Sequence, residues 1–213
     1  MNVIFLDFDG TLDTINGQSK EDIERRIKIL ADICKEYDCK IVIESTLKEA
    51  LDEETMEIYN PYLQFIFNCF KKYGIDCIGR TPTITKKLGN CAYISSWKED
   101  EIRLYLYRHP EIEHYCVIDD DDLYPDSDLN KVRSHLVKTI YYSKNNPDEE
   151  GLLEEHKKEI GEVLKLDNEI KRLIIKREKL KKSKNSLLWY SVFINSCRWL
   201  YEKNWTKSLV CRR

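Results

Sequence analysis

The stretch Val3-Ile4-Phe5-Leu6-Asp7-Phe8-Asp9-Gly10-Thr11-Leu12 decides the reading of the whole chain. Four apolar residues have the length of a short buried strand, and the Asp9-Gly10 turn chemistry ends it. Two carboxylates therefore stand just past a strand end. A loop with Asn16 and Gly17 follows, and Ser19 precedes apolar residues at 23, 27, 30, 33 and 34, whose spacing predicts a helix with acids in its first turn.

Working outward, Lys40–Ile43 reads as the next strand and 48–72 as one or two helices broken at Asn60-Pro61. Ile75–Ile78 reads as a third strand and 79–96 as mostly loop. A short helix at Glu99–Tyr107 leads to a strand at His114–Ile118 that runs into four aspartates, 119–122, and Val137–Tyr141 is the last strand. Short apolar strands alternating with helices predict a mostly parallel sheet covered on both faces. Ligands bind such sheets at the carboxyl ends of their strands, where both acidic clusters fall.

Among the 213 residues the charge is uneven: from Lys171 to Arg213 there are 13 Lys or Arg against 2 acids, leaving the preceding 170 residues at −14. An acidic body with a basic, Trp-containing appendage is expected. Val163, Leu166, Ile170, Leu173 and Leu180 form an amphipathic helical seam in which self-association is open, and basic residues interleaved with Trp leave nucleic acid or an anionic surface open as partners. The eight cysteines show no CxxC pair or zinc spacing and read as free thiols of a reducing compartment. With no basic-then-apolar leader and no apolar run of about 20 residues, a cytoplasmic protein without a transmembrane segment is expected.

A carboxylate attacking phosphorus needs its own charge masked, the phosphoryl oxygens neutralised and a proton for the leaving oxygen. Asp7 and Asp9, a run of aspartates and one divalent ion are a set that meets those needs. The amides of the Gly10 turn can meet phosphoryl oxygens. Magnesium prefers oxygen ligands, which here are carboxylates from Asp7 and from the 119–122 run.

Phe5-Leu6-Asp7-Phe8-Asp9-Gly10-Thr11-Leu12 resembles the first motif of haloacid dehalogenase-type phosphatases. Ile41-Val42-Ile43-Glu44-Ser45-Thr46, Lys98 and Val117-Ile118-Asp119-Asp120 resemble the later motifs in the family's order. More narrowly, Lys98–Ile102, His109–Glu113, Asp119–Asp121, Leu136–Thr139 and Gly151-Leu152 are similar to the phosphatase-like domains of Swiss Army knife RNA repair proteins. The resemblance implies an α/β, Rossmann-like three-layer sandwich over 1–162 with a minimal cap, and the periodicity beyond it predicts a helical extension over 163–213. It also implies Asp7 as nucleophile, Asp9 as general acid and base, and Lys98 as the neutralising cation. Gly10, Thr11 and Ser45 or Thr46 would contact the phosphoryl group, and Asp7, Asp119 and Asp120, with the backbone carbonyl of Asp9, would hold Mg2+.

Where the subgroup has a Ser-rich turn and Trp-Arg, this chain reads Glu44-Ser45-Thr46-Leu47-Lys48. The expected activity is phosphomonoester hydrolysis, with a nucleotide or nucleic-acid end as substrate. The rival reading is a catalytically weak phosphatase-like scaffold, recruited to RNA, membrane or a partner by its basic C-terminal helices. The extra negative charge of Glu44 supports that rival.

Overall fold

A computed structural model describes residues 1–88, 92–95, 97–124 and 131–165. Strand β1 (Asn2–Leu6) leads into α1 (Lys20–Tyr37), β2 (Cys39–Ile43), a 3-10 turn at Thr46–Ala50, α2 (Pro61–Tyr73) and β3 (Cys77–Arg80). The short strands β4 (Thr85–Leu88) and β5 (Ala92–Ser95) precede α3 (Lys98–Arg108), β6 (His114–Asp119) and β7 (Leu136–Lys138). Five strands make one sheet in the order β3-β2-β1-β6-β7, and all its pairings are parallel.

Alternation along the strands sends side chains to two cores. Ile4, Leu6, Ile41, Ile43, Cys116 and Ile118 pack with α1, α2 and residues 160–164. Val3, Phe5, Val42 and Val117 pack on the other face with Ile102 and Tyr105 of α3 and with Val132. A sheet with apolar residues on both faces must be covered on both, which gives the three-layer α/β architecture. Residues 156–165 are helical, and Ile160, Val163 and Leu164 are buried in the first core. The rest of the expected C-terminal seam and the basic extension lie outside the described residues.

Local chemistry sets the element ends. Ser19 caps α1 by accepting from the Asp22 amide. Asn60 caps α2 by accepting from the Tyr62 and Leu63 amides, and Pro61 occupies the first helical turn. The third strand begins two residues later than expected because Gly74 closes α2 and the Ile75 amide still donates to the Phe70 carbonyl. The expected loop at 79–96 instead contains the antiparallel pair β4 and β5, with Leu88 opposite Ala92. The expected helix before Asn60 is limited to the 3-10 turn, and a Leu51–Ile58 bridge follows it. The last strand stops at Lys138: the Thr139 amide makes one more bond, to the Asp119 carbonyl, and beyond it the Gly151 amide donates to the Ile140 carbonyl and the Ile15 amide, in the loop after β1, to that of Tyr141.

That loop is organised by a charge on the apolar face of α1. Arg26, only 2% exposed, donates from Nη1 to the carbonyls of Leu12 (3.0 Å) and Gly17 (2.9 Å). Its Nη2 reaches Thr14 Oγ1 at 3.1 Å and the Glu150 carbonyl at 3.4 Å. The Glu150 carboxylate in turn receives the Asn16 side-chain amide (2.6 Å) and the Ser143 amide (2.8 Å), and the Leu152 amide donates to the Thr11 carbonyl. Gly151 (φ +74°) has no room for a side chain, since an added Cβ would lie 2.5 Å from Arg26 Nε. Residues 150–152 are thus a strap across the loop.

Replacing Arg26 by Met keeps the length of the side chain but leaves three buried carbonyls and the Thr14 hydroxyl without their donor. Arg26→Met should lower unfolding stability by at least about 3 kcal/mol, read from the urea midpoint. A loss below about 1 kcal/mol would mean that the backbone bonds of the strap hold the loop unaided.

Candidate active site

Parallel pairing places residues past the strand ends at one level. Leu6 is in register with Ile43 on one side and Ile118 on the other. The Asp7 amide donates to the Ile118 carbonyl, the Glu44 amide to that of Leu6, and the Thr81 amide to that of Ile43. Thr81, Glu44, Asp7 and Asp119 therefore form a row across the carboxyl edge, each 5% exposed or less. Three neighbouring carboxylates withdrawn from water repel one another and need cations.

The first cation is Lys98, at the start of α3. Its Nζ donates to Asp7 Oδ2 at 2.6 Å and to Asp119 Oδ2 at 2.8 Å, and it lies 3.5 Å from Asp121. Burial pulls its pKa down, but the fields of Asp7 and Asp119 outweigh burial and raise it. A lysine at a helix N-terminus opposes the helix dipole, and Glu99, Asp100 and Glu101 in the same turn offset that cost.

The second cation is Lys48, 4% exposed. Its Nζ lies 3.1 Å from each Glu44 oxygen, 2.8 Å from Thr81 Oγ1, and also contacts Glu101 of α3. The Thr81 hydroxyl donates to Glu44 as well. Glu44 is thus engaged in a buried network and does not stand as a bare charge beside Asp7. Burial pushes its pKa up to about 7, against the lowering pull of Lys48 and the Thr81 hydroxyl and with a small addition from Glu101. Glu101 also accepts from the Ile84 amide at 2.9 Å, so the network joins β2, β3 and α3.

Asp7 Oδ1 accepts from the Phe8 amide at 2.7 Å. Carboxylate oxygens of Asp7, Asp119 and Asp120 all lie within 4.8 Å of one another. Three hard oxygen donors this close suit a Mg2+-type ion, which takes carboxylates and keeps part of its water. Asp9, expected to meet the metal through its backbone carbonyl, is exposed, and its carboxylate is outside this group of three. Its pKa is raised, first by partial burial and then by Asp7 and Asp13, against Lys98. Gly10 (φ +72°) makes room for Asp120, since an added Cβ would lie 2.2 Å from Asp120 Cγ.

The residues expected to contact a phosphoryl group are placed less uniformly. The Gly10 amide donates to the Asp13 carbonyl, and the amides of Thr11, Leu12 and Asp13 converge on the Phe8 carbonyl, so these donors are spent within the loop. Thr11 Oγ1 lies 3.2 Å from Thr139 Oγ1. Ser45 is buried, its hydroxyl accepting from the Leu47 amide at 3.4 Å, and Thr46 is exposed. Asp121 and Asp122 are exposed, with Lys138 2.8 Å from Asp122, whereas Asp126 and Asp128 lie outside the described residues. His109, His114, His135 and His156 take no part in the group of three.

Sequence reading missed Arg26, Thr81 and Glu101. Only Arg26 left a signal, a charge three residues after Ile23 and four before Leu30 on the apolar face of α1.

A family model described as the HAD domain in Swiss Army Knife RNA repair proteins matches residues 3–143, well over half of the chain. It spans every element of the five-stranded sheet and ends before the strap at 150–152. No curated protein and no solved structure matches the chain.

Burial comes first among the causes that raise Asp119 and Asp120, and the neighbouring aspartates add to it. A carboxyl raised on folding binds its proton more readily in the native state. Its stabilisation is therefore complete below the ordinary carboxylate range and is lost as pH rises toward neutrality. A divalent cation held by the deprotonated groups offsets that loss. The rise in melting temperature on adding Mg2+ should be larger at about pH 8 than at about pH 5. Equal shifts at both would show that these carboxylates do not bind the ion.

Proposed function

Since the chain belongs to the HAD-domain family of Swiss Army Knife RNA repair proteins, and with it to the HAD-type phosphatase superfamily, we propose that it is a Mg2+-dependent phosphomonoester hydrolase working through a phosphorylated Asp7. One observation carries the reading: Asp7, Asp119 and Asp120 converge within 4.8 Å, with Lys98 bridging the first two.

Asp7 attacks phosphorus while Lys98, whose ammonium contacts the Asp7 and Asp119 carboxylates, neutralises the phosphoryl oxygens. The carboxylates of Asp7, Asp119 and Asp120, with the backbone carbonyl of Asp9, would hold Mg2+, which would supply the remaining neutralisation of phosphoryl charge. Asp9 fits the acid role, since partial burial and then the Asp7 and Asp13 charges raise its pKa, the direction a proton donor needs. The P–O bond to the leaving alcohol breaks as the bond to Asp7 forms, and the alcohol departs with the proton of Asp9. Asp9, now a carboxylate, takes a proton from the water that attacks the phosphorylated Asp7. Inorganic phosphate leaves and the Asp7 carboxylate is restored. A nucleotide or nucleic-acid end is the substrate class in keeping with the family.

The test is phosphate release from small phosphomonoesters and from oligonucleotides phosphorylated at the 3′ or 5′ end, with Mg2+ and with chelator. Asp7→Asn should abolish release while retaining the melting curve, and Asp9→Asn should lower kcat by roughly 100- to 10,000-fold. Release that survives chelator or Asp7→Asn would sink the mechanism.

A further inference from the structure

Trp97 and Tyr124 form an edge-to-face pair with ring centroids 4.5 Å apart and planes at 61°. Both are largely in water, 60% and 52% exposed. Large rings gain from burial, so a fixed exposed pair is a feature to be accounted for. Trp97 is the N-cap residue of α3, directly before Lys98. The Tyr124 amide donates to the carboxylate of Glu99, which is 3% exposed and lies in the same first turn. One helical turn thus fixes both the rings and the lysine that touches Asp7 and Asp119. Tyr124 also stands only two residues past the aspartate run.

We propose that Trp97 and Tyr124 are the stacking platform for the heterocyclic base of a nucleotide whose phosphoryl group lies between Asp7 and Lys98, and that they determine specificity. This rests on the phosphohydrolase reading above. Adjacent Cα atoms are about 3.8 Å apart, so the Trp97 ring starts one residue from the phosphoryl-neutralising group. A nucleotide likewise joins its phosphate to a planar base through a single sugar. Aromatic faces stack any base, which suits a platform without hydrogen-bond readout. The charges nearby limit the ligand further: Asp121 and Asp122 have side chains 70% and 72% exposed. Lys98 at 3.5 Å from Asp121 and Lys138 at 2.8 Å from Asp122 are already engaged by these carboxylates, so additional backbone phosphates gain little there and the platform fits a mononucleotide or the last nucleotide of a strand. It does not fit an internal stretch of nucleic acid.

The test compares kcat/KM for nucleoside monophosphates, end-phosphorylated oligonucleotides and glycerol phosphate in wild type, Trp97→Ala, Trp97→Phe and Tyr124→Ala, each checked for an unchanged melting curve. In Trp97→Ala the nucleotide-to-glycerol phosphate ratio should fall roughly ten-fold, mainly through KM. Trp97→Phe, which keeps an aromatic face, should preserve most of the ratio. A ratio unchanged in both alanine variants overturns the platform while leaving the hydrolase reading intact. Whichever of mononucleotide and oligonucleotide end loses more identifies the source of the base.

Calorimetry supplies a readout independent of turnover. Nucleoside monophosphate should bind Asp7→Asn roughly ten-fold more tightly than the Asp7→Asn, Trp97→Ala double variant. If wild type hydrolyses no ester but this difference holds, the platform stands and the hydrolase reading fails. Equal affinity in the two variants, or no binding to either, overturns the platform.

Discussion

Three carboxylates, Glu44, Asp7 and Asp119, end three neighbouring parallel strands at one level of the sheet. Parallel register fixes their spacing, and burial removes the water that would screen them. The cost of burying carboxylates side by side, Asp7 with Asp119 and Glu44 with Glu101, is therefore the constraint around which the carboxyl edge is built. Two lysines answer it. Lys98 serves Asp7 and Asp119 together, and Lys48 serves Glu44 and Glu101. The two solutions differ in openness. Lys98 is 23% exposed with Asp120 and Asp121 beside it, so a ligand can compete for its contacts, whereas Lys48 is closed in by Thr81 and two glutamates.

Both solutions meet in the first turn of α3. Lys98 and Glu101 are three residues apart and lie on neighbouring lines of the helix surface, so one placement of the helix serves both clusters. Glu99 in the same turn holds the Tyr124 amide. The Lys48–Glu101 contact thus ties the helix bearing Lys98 to the segment after β2. The loop bearing Asp9, Gly10 and Thr11 is fixed from the opposite side by Arg26 and the strap at 150–152. A site that needs opposed charges at hydrogen-bond distance is in this way held by elements far apart in sequence.

Much of this was legible in the chain. The strand before Asp7, the Ser19 and Asn60-Pro61 helix starts and the strand leading into the aspartates are local signals, because periodicity and capping act within a few residues. Strand ends were harder to read. Ile75 is as apolar as a strand residue, but it closes α2 past Gly74. Ile140 and Tyr141 continue the run of β7, yet their carbonyls accept from Gly151 of the strap and from Ile15 of the loop after β1. The β4–β5 pair carries only short, mixed runs, Thr85-Lys86-Lys87-Leu88 and Ala92-Tyr93-Ile94-Ser95, flanking Gly89-Asn90, a weak strand signal beside the buried runs of the main sheet.

The sequence by itself determined that two acidic clusters would follow strand ends in a parallel α/β sheet, since strand period and turn chemistry are properties of contiguous residues. It also determined which residue types the site would contain. Tertiary structure alone decided how their charges are distributed. Glu44, one residue before Ser45, reads as a negative charge beside an anion site, yet a lysine four residues on, Thr81 across the sheet and Glu101 from α3 enclose it. Arg26 reads as one more charge on α1, and only the fold brings four acceptors from 12 to 17 and from 150 around its guanidinium. The reason is physical: the cost of a buried charge depends on the partners that long-range packing places within about 4 Å, and no spacing along the chain encodes those distances.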